Sequence, residues 1–354
     1  MRHWEFWPAR LFEAPYYAYL GLLCLRHALP PKYLAKANYA LDHGEIGIGS
    51  KYATQMAFPQ DRFPETELIA ADVTGRVKAN LIQAFADTHG FPIILKPDIG
   101  AVGKGVMKLE SVQEIEPALE HLHCNYLLQT YIDLPNEYGI FYARVSGHSR
   151  VSGINQKHFP SVVGNGLHSI GQLARAHYRY TGHWDLFLRD LDQTRVPAMS
   201  ESVRLSFVGS HTMGCRFSND TALKTPELEA AIFDVCDAQP GYNFGRLDVR
   251  SADAAALQAG DFKVIEANGV ASLPTHMFDP AGTLAGAYRI FFEHAELLAR
   301  AASDHRSEPM ELAPWREISA RVFSNQQLLD QTHHSVLQRS GGADSERDER
   351  TASP

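Results

Sequence analysis

The residue types best suited to chemistry sit in two stretches, Gly245-Arg-Leu-Asp-Val-Arg250 and Phe262-Lys-Val-Ile-Glu-Ala-Asn268-Gly269. Apolar and polar residues alternate with a period of two, which predicts a β-strand for each. Arg246, Asp248 and Arg250 then share one face of the first strand, and Glu266 and Asn268 one face of the second. Paired antiparallel, the strands bring Asp248, Glu266 and Asn268 into a set of hard oxygen ligands, with Arg246 two residues before the aspartate. Mg²⁺ takes one or a few carboxylates together with phosphate oxygens and water, so this set suits an ion that holds a phosphorylated substrate. The plain alternative is a hairpin with charges on its wet face, which is common on half-exposed strands.

A second constellation upstream also suits phosphate. Phe91-Pro-Ile-Ile-Leu-Lys-Pro97 reads as a short buried strand ending at Lys96, and Val106 to Leu109 as a returning strand. Between them lies Asp98-Ile-Gly-Ala-Val-Gly-Lys-Gly105, with Gly100, Gly103, Lys104 and Gly105. Backbone N–H groups of such a turn can close over phosphates with no side chain intervening. The Walker pattern is not present here, because no Gly-Lys-Ser or Gly-Lys-Thr opens a helix.

Other elements must position these groups. Val77, Leu81, Ile82 and Phe85 recur at helical spacing, and Gly90 supplies a stop. Ser111-Val-Gln-Glu114 has the form of a capping box and predicts a helix towards His121. Strands follow over 125–129 and from Glu137 to Val145, and a helix over 280–300 carries Leu284, Tyr288, Phe291 and Leu298 on its apolar face. Residues 30–65, rich in proline and glycine, read as a loop-rich approach, and Gly44-Glu-Ile-Gly-Ile-Gly49 does not have dinucleotide-loop spacing. Residues 335–354 read as a disordered tail.

With 354 residues, 45% of them hydrophobic and 21% charged, the chain has the composition of a soluble globular protein with room for two or three lobes. A formal net charge of -8 argues against non-specific nucleic-acid binding, which needs a basic footprint. Cys24, Cys124, Cys215 and Cys236 form no Cys-x-x-Cys pair, so reduced cytoplasmic thiols are expected. The aromatic and apolar run from Ala14 to Leu25 is too short to span a bilayer, which takes about 20 residues. Two readings of residues 1–29 stay open: packing on the protein body, or a helix lying in the interface at the inner membrane face.

The order of these motifs resembles ATP-grasp enzymes, and most closely the carboxylate-amine ligase branch that includes D-alanine-D-alanine ligase, over about Pro64 to Arg300. The resemblance implies an α+β fold in which two α+β lobes clamp ATP, after a short atypical N-terminal region. In this chain that gives residues 1–63 as the N-terminal region, 64–132 as the small lobe with its flap, 133–302 as the large lobe with the metal site, and 303–354 as an extension and tail. It implies Lys96, the Gly100, Gly103, Lys104 and Gly105 flap, and Lys78 as ATP contacts. The segment from Gln129 through Tyr131 to Ile132 matches the adenine hinge, and Glu137 the ribose-binding glutamate. Asp248, Glu266 and Asn268 match ligands of two Mg²⁺ ions, for which Mn²⁺ can substitute, and Arg246 the arginine that stabilises charge during transfer. Lys157, His211, Arg250 and Ser272 are candidates to face substrate.

The chain departs from the pattern at Gln129, where glutamate is common, and at Asn165, where a similar turn of cyanophycin synthetase has aspartate. The shortened N-terminal domain means that D-alanine is not carried over as substrate. The expected activity is ATP- and Mg²⁺-dependent activation of a small carboxylate as an acyl phosphate for attack by an amine or thiol; the sequence does not give the oligomeric state, and a homodimer is common among similar ligases. An ATP-grasp kinase and an ATP-binding regulatory or membrane-associated module without turnover are the alternatives.

Overall fold

In this computed structural model the described residues are 4–46, 49–100, 103–181, 184, 188, 191–206, 209–211 and 214–338. In chain order the elements are α1 (Ala9–Arg26), α2 (Lys51–Met56), β1 (Thr66–Ile69), α3 (Gly75–His89), β2 (Ile93–Pro97), β3 (Met107–Leu109), α4 (Ile115–Leu119) and β4 (Tyr126–Thr130). Then follow β5 (Asn136–Val145), β6 (His148–His158), β7 (Ser161–Val163), α5 (Ile170–Ala176), β8 (Ser202–Arg204), β9 (Arg216–Asn219) and α6 (Pro226–Asp237). The chain closes with β10 (Phe244–Ser251), α7 (Ala254–Gln258), β11 (Lys263–Asn268), α8 (Leu284–Asp304) and α9 (Trp315–Gln338). Helices and antiparallel sheets are mixed along the chain, an α+β architecture.

Two compact units share these elements. One takes Met1–Leu68, Gln129–Lys157 and Phe217–Asn325, and the other Ile69–Leu128, His158–Arg216 and Gln326–Pro354. The first is built on a five-stranded sheet in the order β11-β10-β5-β6-β9. One face of its strands buries Tyr138, Ile140, Tyr142, Leu247 and Val249 against α6 residues Leu228, Ile232 and Val235. Alternation along the strands then turns Glu137, Gly139, Arg246, Asp248 and Arg250 to the opposite face.

The aromatic run near the N-terminus packs on the body of this unit. Phe12, Tyr16, Leu20 and Leu23 of α1 are buried in one cluster with Phe291, Ala295 and Leu298 of α8. Tyr16 stacks on Phe291 with ring centroids 4.1 Å apart, and Tyr288 donates its hydroxyl to the Phe12 carbonyl at 3.1 Å. Leu11, Tyr17, Leu22 and Leu25 remain exposed. No helix among the described residues is long and apolar enough to cross a membrane.

The second unit contains α3, β2, β3 and α4, and in its sheet β2 lies between β3 and β4. Thr74 caps α3 by accepting from the Val77 amide at 3.4 Å, and Gly90, at φ +80°, ends it. Ile82 and Phe85 thereby face Ile93, Leu95 and Leu128 in one core.

Two expectations need correction. Ser111 makes no capping hydrogen bond, and the segment forms a 3-10 turn followed by the short α4, because Glu114 accepts instead from the Glu110 amide at 3.2 Å. Residues 30–65 carry short elements only, among them a 3-10 helix at Pro31–Asn38 and α2, in keeping with a loop-rich approach, and Asn38 is fully buried. Of the expected tail, 335–338 belong to α9, and 339–354 lie outside the described residues.

Phe291→Ala removes the ring on which Phe12 and Tyr16 stack. It is expected to cost about 3–5 kcal/mol, read from the urea unfolding midpoint. Leu25→Ser, at an exposed position of α1, should stay within about 0.5 kcal/mol of the unaltered protein.

Candidate functional site

The antiparallel pairing of β10 with β11 sets Asp248 opposite Glu266 and Arg246 opposite Asn268. On its other side β10 pairs with β5, so that Asp248 also faces Gly139 and Arg250 faces Glu137. The β5–β6 register then adds Asn155 beside Gly139 and Lys157 beside Glu137. The polar face is therefore ordered in rows across four strands: Asn268-Arg246-Phe141-Gly153, Glu266-Asp248-Gly139-Asn155, and Arg250-Glu137-Lys157.

Charges on this face alternate and are hydrogen-bonded. Arg246 forks onto Asp248, Nε to Oδ1 at 2.8 Å and Nη2 to Oδ2 at 3.0 Å. Lys157 bridges Glu137 at 2.8 Å and Asp248 at 3.1 Å, and all three side chains are no more than 6% exposed. Arg250 holds the other oxygen of Glu137 and donates to the Ile132 carbonyl at 2.8 Å, with its guanidinium over the Tyr131 ring. Burial alone would push the Lys157 ammonium below its usual range, but Asp248 and Glu137 beside it win and raise it. Arg246 is held up in the same way, against burial, chiefly by Asp248.

Glycines make these side chains fit. A Cβ on Gly139 would stand 2.4 Å from Asn155 Oδ1 and 3.1 Å from Arg246 Cδ, and one on Gly153 would lie 2.3 Å from the His276 ring. The loop after β11 crosses the sheet there, pinned by Thr275 donating to Asn155 Oδ1 at 2.8 Å.

Asp248, Glu266 and Asn268 fit a hard divalent cation in chemistry. The Asn268 amide nitrogen donates to Asp248 at 3.5 Å, and its amide oxygen has no hydrogen-bond partner among the described residues. Those residues contain no group of three or more His, Cys, Asp and Glu side chains placed to hold a metal. The site therefore offers two carboxylates and one carboxamide, a set that needs phosphate or water oxygens to complete it.

Two site residues were missed in the sequence. Lys51, at the first position of α2, is ion-paired with Glu266, and burial of the nearby Glu45 pushes its carboxyl up while Lys51 opposes this. Glu45 lies in Gly44-Glu-Ile-Gly-Ile-Gly49, and no local pattern there points to strands two hundred residues away. Asn38 ties the segment down, accepting from the amides of Asn243 and Phe244 at 2.9 and 3.0 Å and donating to the Phe244 carbonyl at 2.8 Å.

Other candidates take quieter positions. Gln129 is buried and donates to Gln55 and Thr66, both at 2.8 Å, shortly before Tyr131 and Ile132. Ser272 is a turn residue, its hydroxyl donating to the Gly269 carbonyl at 2.7 Å. In the second unit, Lys96 is half-buried on β2, on the strand face opposite Ile93 and Leu95. Lys78 turns inward and donates to the Leu122 carbonyl at 2.9 Å. The glycine turn has Gly100, Gly103 and Gly105 at φ +104°, +74° and +71°, and Ala101 and Val102 lie outside the described residues. Residues of α9 cover that turn: Leu329 fills the space where a Gly100 side chain would stand, and Asp330 pairs with Lys104. His211 is also in this unit, its imidazole pushed down to about 4 by burial and by Arg179. Asn165 accepts from the Leu167 and His168 amides at 3.1 and 2.9 Å, which makes its turn self-supporting.

Two histidines behind the site lead to a pH prediction. Burial lowers His276 to about 3 and His294 to about 4, and His294 Nε2 donates to the Ser272 carbonyl at 2.8 Å. Both folded values lie below the unfolded one, so the unfolded chain binds more protons in acid. Stability is complete above about pH 6.5 and falls as the pH drops towards about 4 and 3. His294→Gln should flatten the thermal midpoint between about pH 6.5 and 4; an unchanged slope would refute the assignment.

No family model matches the chain, and no curated protein matches it. Solved structures of similar arrangement include D-alanine-D-alanine ligase from Bacillus anthracis, 12% identical with a TM-score of 0.42, over 75% of this chain and 70% of that one. Biotin carboxylase from Campylobacter jejuni is 11% identical with a TM-score of 0.43, over 79% and 51%. A bifunctional glutathione synthetase from Pasteurella multocida is 16% identical with a TM-score of 0.36, over 68% of this chain and 34% of that one, so the chain spans about a third of that protein's length. At these identities and TM-scores the likeness carries no argument about this chain.

Proposed function

We propose that the chain is an ATP-grasp ligase that uses ATP and Mg²⁺ to activate a small carboxylate as an acyl phosphate, which an amine or thiol then attacks. The observation that carries this reading is the cross-strand set Asp248, Glu266 and Asn268 beside the Arg246 fork, on a face whose charges are buried or half-buried and paired. Structural charge pairs on a sheet have no use for a carboxamide oxygen beside two carboxylates, whereas a phosphate-holding cation takes such oxygens together with phosphate and water.

Mg²⁺, when bound at Asp248, Glu266 and Asn268, supplies neutralisation of phosphate charge. This chain's own residues do the rest. Arg246 and Lys157 are cations fixed by the sheet, so they face negative charge that grows on an oxyanion or a departing phosphate without first having to reorganise. Arg250 holds the Ile132 carbonyl and Glu137 in place, the hinge and ribose contacts of the reading. In the second unit, Lys96 and the turn from Gly100 to Gly105 are assigned to the ATP phosphates on the family resemblance. Lys78 has less claim, since its ammonium is already bonded to Leu122.

The test is ADP release from Mg-ATP with pooled carboxylates, with and without pooled amines. Release that depends on both is expected, with a fall of about 100-fold or more in Asp248→Asn and in Asn268→Ala. Asn268→Ala leaves no buried charge unpaired, so it answers even if Asp248→Asn is poorly folded. Unchanged release in folded Asn268→Ala and Asp248→Asn would remove the site, and release without any amine would make the chain a kinase.

A further inference from the structure

Lys51 comes from the segment read as an atypical approach, yet its ammonium rests on Glu266, a member of the oxygen set. The geometry is enforced from several sides. Ser50 caps α2 by accepting from the Ala53 amide at 3.0 Å, which aims the first helical residue, Lys51, at β11. The amides of Val270 and Ala271 donate to the carbonyls of Gly44 and Glu45 at 3.1 and 3.3 Å, so the segment and the loop after β11 move as one piece. Gly269 permits this approach, because a Cβ there would meet Glu45 Cβ at 2.3 Å and the Gly44 carbonyl at 2.5 Å.

Glu45 is the second carboxylate within electrostatic reach of Lys51. The side-chain hydrogen bond made to its carboxylate among the described residues is a long one, 3.5 Å from Thr54 Oγ1. A largely buried ammonium has one strong partner, Glu266, and one under-used partner, Glu45. If Glu266 is drawn onto a divalent cation, Lys51 must find another acceptor, since an unpaired charge in this environment is costly.

We propose that Lys51 is a movable counter-ion of this site, resting on Glu266 when no cation is bound and passing to Glu45 when a divalent cation takes Glu266. The proposal rests on the reading of Asp248, Glu266 and Asn268 as cation ligands. It makes the N-terminal segment a part of the site that sets how readily the cation enters, and it names a positioning residue, Lys51, with its receiving carboxylate, Glu45.

Mn²⁺ binding to the full chain without nucleotide, followed by loss of the free-ion paramagnetic resonance signal, tests it. Lys51→Met should tighten binding and Glu45→Gln weaken it, each by about tenfold, the worth of one charged hydrogen bond. A through-space field would give the same signs, so the double variant decides. With Lys51→Met in place, Glu45→Gln should change nothing, because no ammonium is left to receive. Weakening by the same factor in that background overturns the exchange and leaves Glu45 as a distant charge. If Glu45→Gln does not fold, Glu45→Ala takes its place in the same comparison, weakening in the unaltered background and no change with Lys51→Met supporting the exchange, and equal weakening in both refuting it. Absence of Mn²⁺ binding in the unaltered chain, or binding that survives Asp248→Asn, would overturn the cation reading itself; binding lost in Asp248→Asn but indifferent to Lys51 and Glu45 would overturn only the exchange.

Discussion

A buried lattice of alternating charge holds the candidate site together. Lys157 lies between Glu137 and Asp248, Arg246 forks onto Asp248, and Arg250 onto Glu137, with these carboxylates almost wholly out of water. An isolated charge in such a place would cost several kcal/mol, so no member can be kept without its neighbours. The rows of the sheet satisfy this through register alone. Because β5, β6 and β10 are antiparallel neighbours, residues far apart in the chain stand opposite one another, and a slip by one residue would turn the charged set into the apolar core.

That constraint extends outward into the rest of the first unit. Alternate positions of the same strands bury Tyr138, Ile140, Leu247 and Val249, so the core and the charged face are specified by one period-two pattern. The glycines at 139 and 153 give up side chains so that Asn155, Arg246 and His276 can occupy the face above them. Asn38, with two acceptor contacts to the start of β10, fastens the N-terminal segment to the strand that carries Arg246 and Asp248. The aromatic helix α1, packed on α8, contributes apolar burial to the same body.

Loops beside the site show why local patterns are incomplete guides. Ser272, a residue of interest from its place after the second strand, is spent on closing its own turn, and His294 holds the carbonyl of that same residue. Ser111 has the partners of a capping box in sequence but not in space, since Glu114 is taken by the amide of Glu110. Such competition among neighbouring donors and acceptors depends on backbone angles that a spacing rule does not contain.

By itself the sequence determined the two site strands and which of their residues share the polar face, because strand periodicity is a local property and Arg246, Asp248, Glu266 and Asn268 sit in phase with it; their antiparallel pairing came from the structure. It also determined α3 with its stop at Gly90, the glycine turn, and the apolar face of α8. Only the tertiary structure decided that Glu137, Lys157 and Arg250 form one charge lattice, that Lys51 reaches Glu266, and that α9 covers the glycine turn. These are pairings over separations of 20 to more than 200 residues. Nothing in the local alternation of side chains records them, for they are fixed by sheet register and by the need of each buried charge to find its opposite.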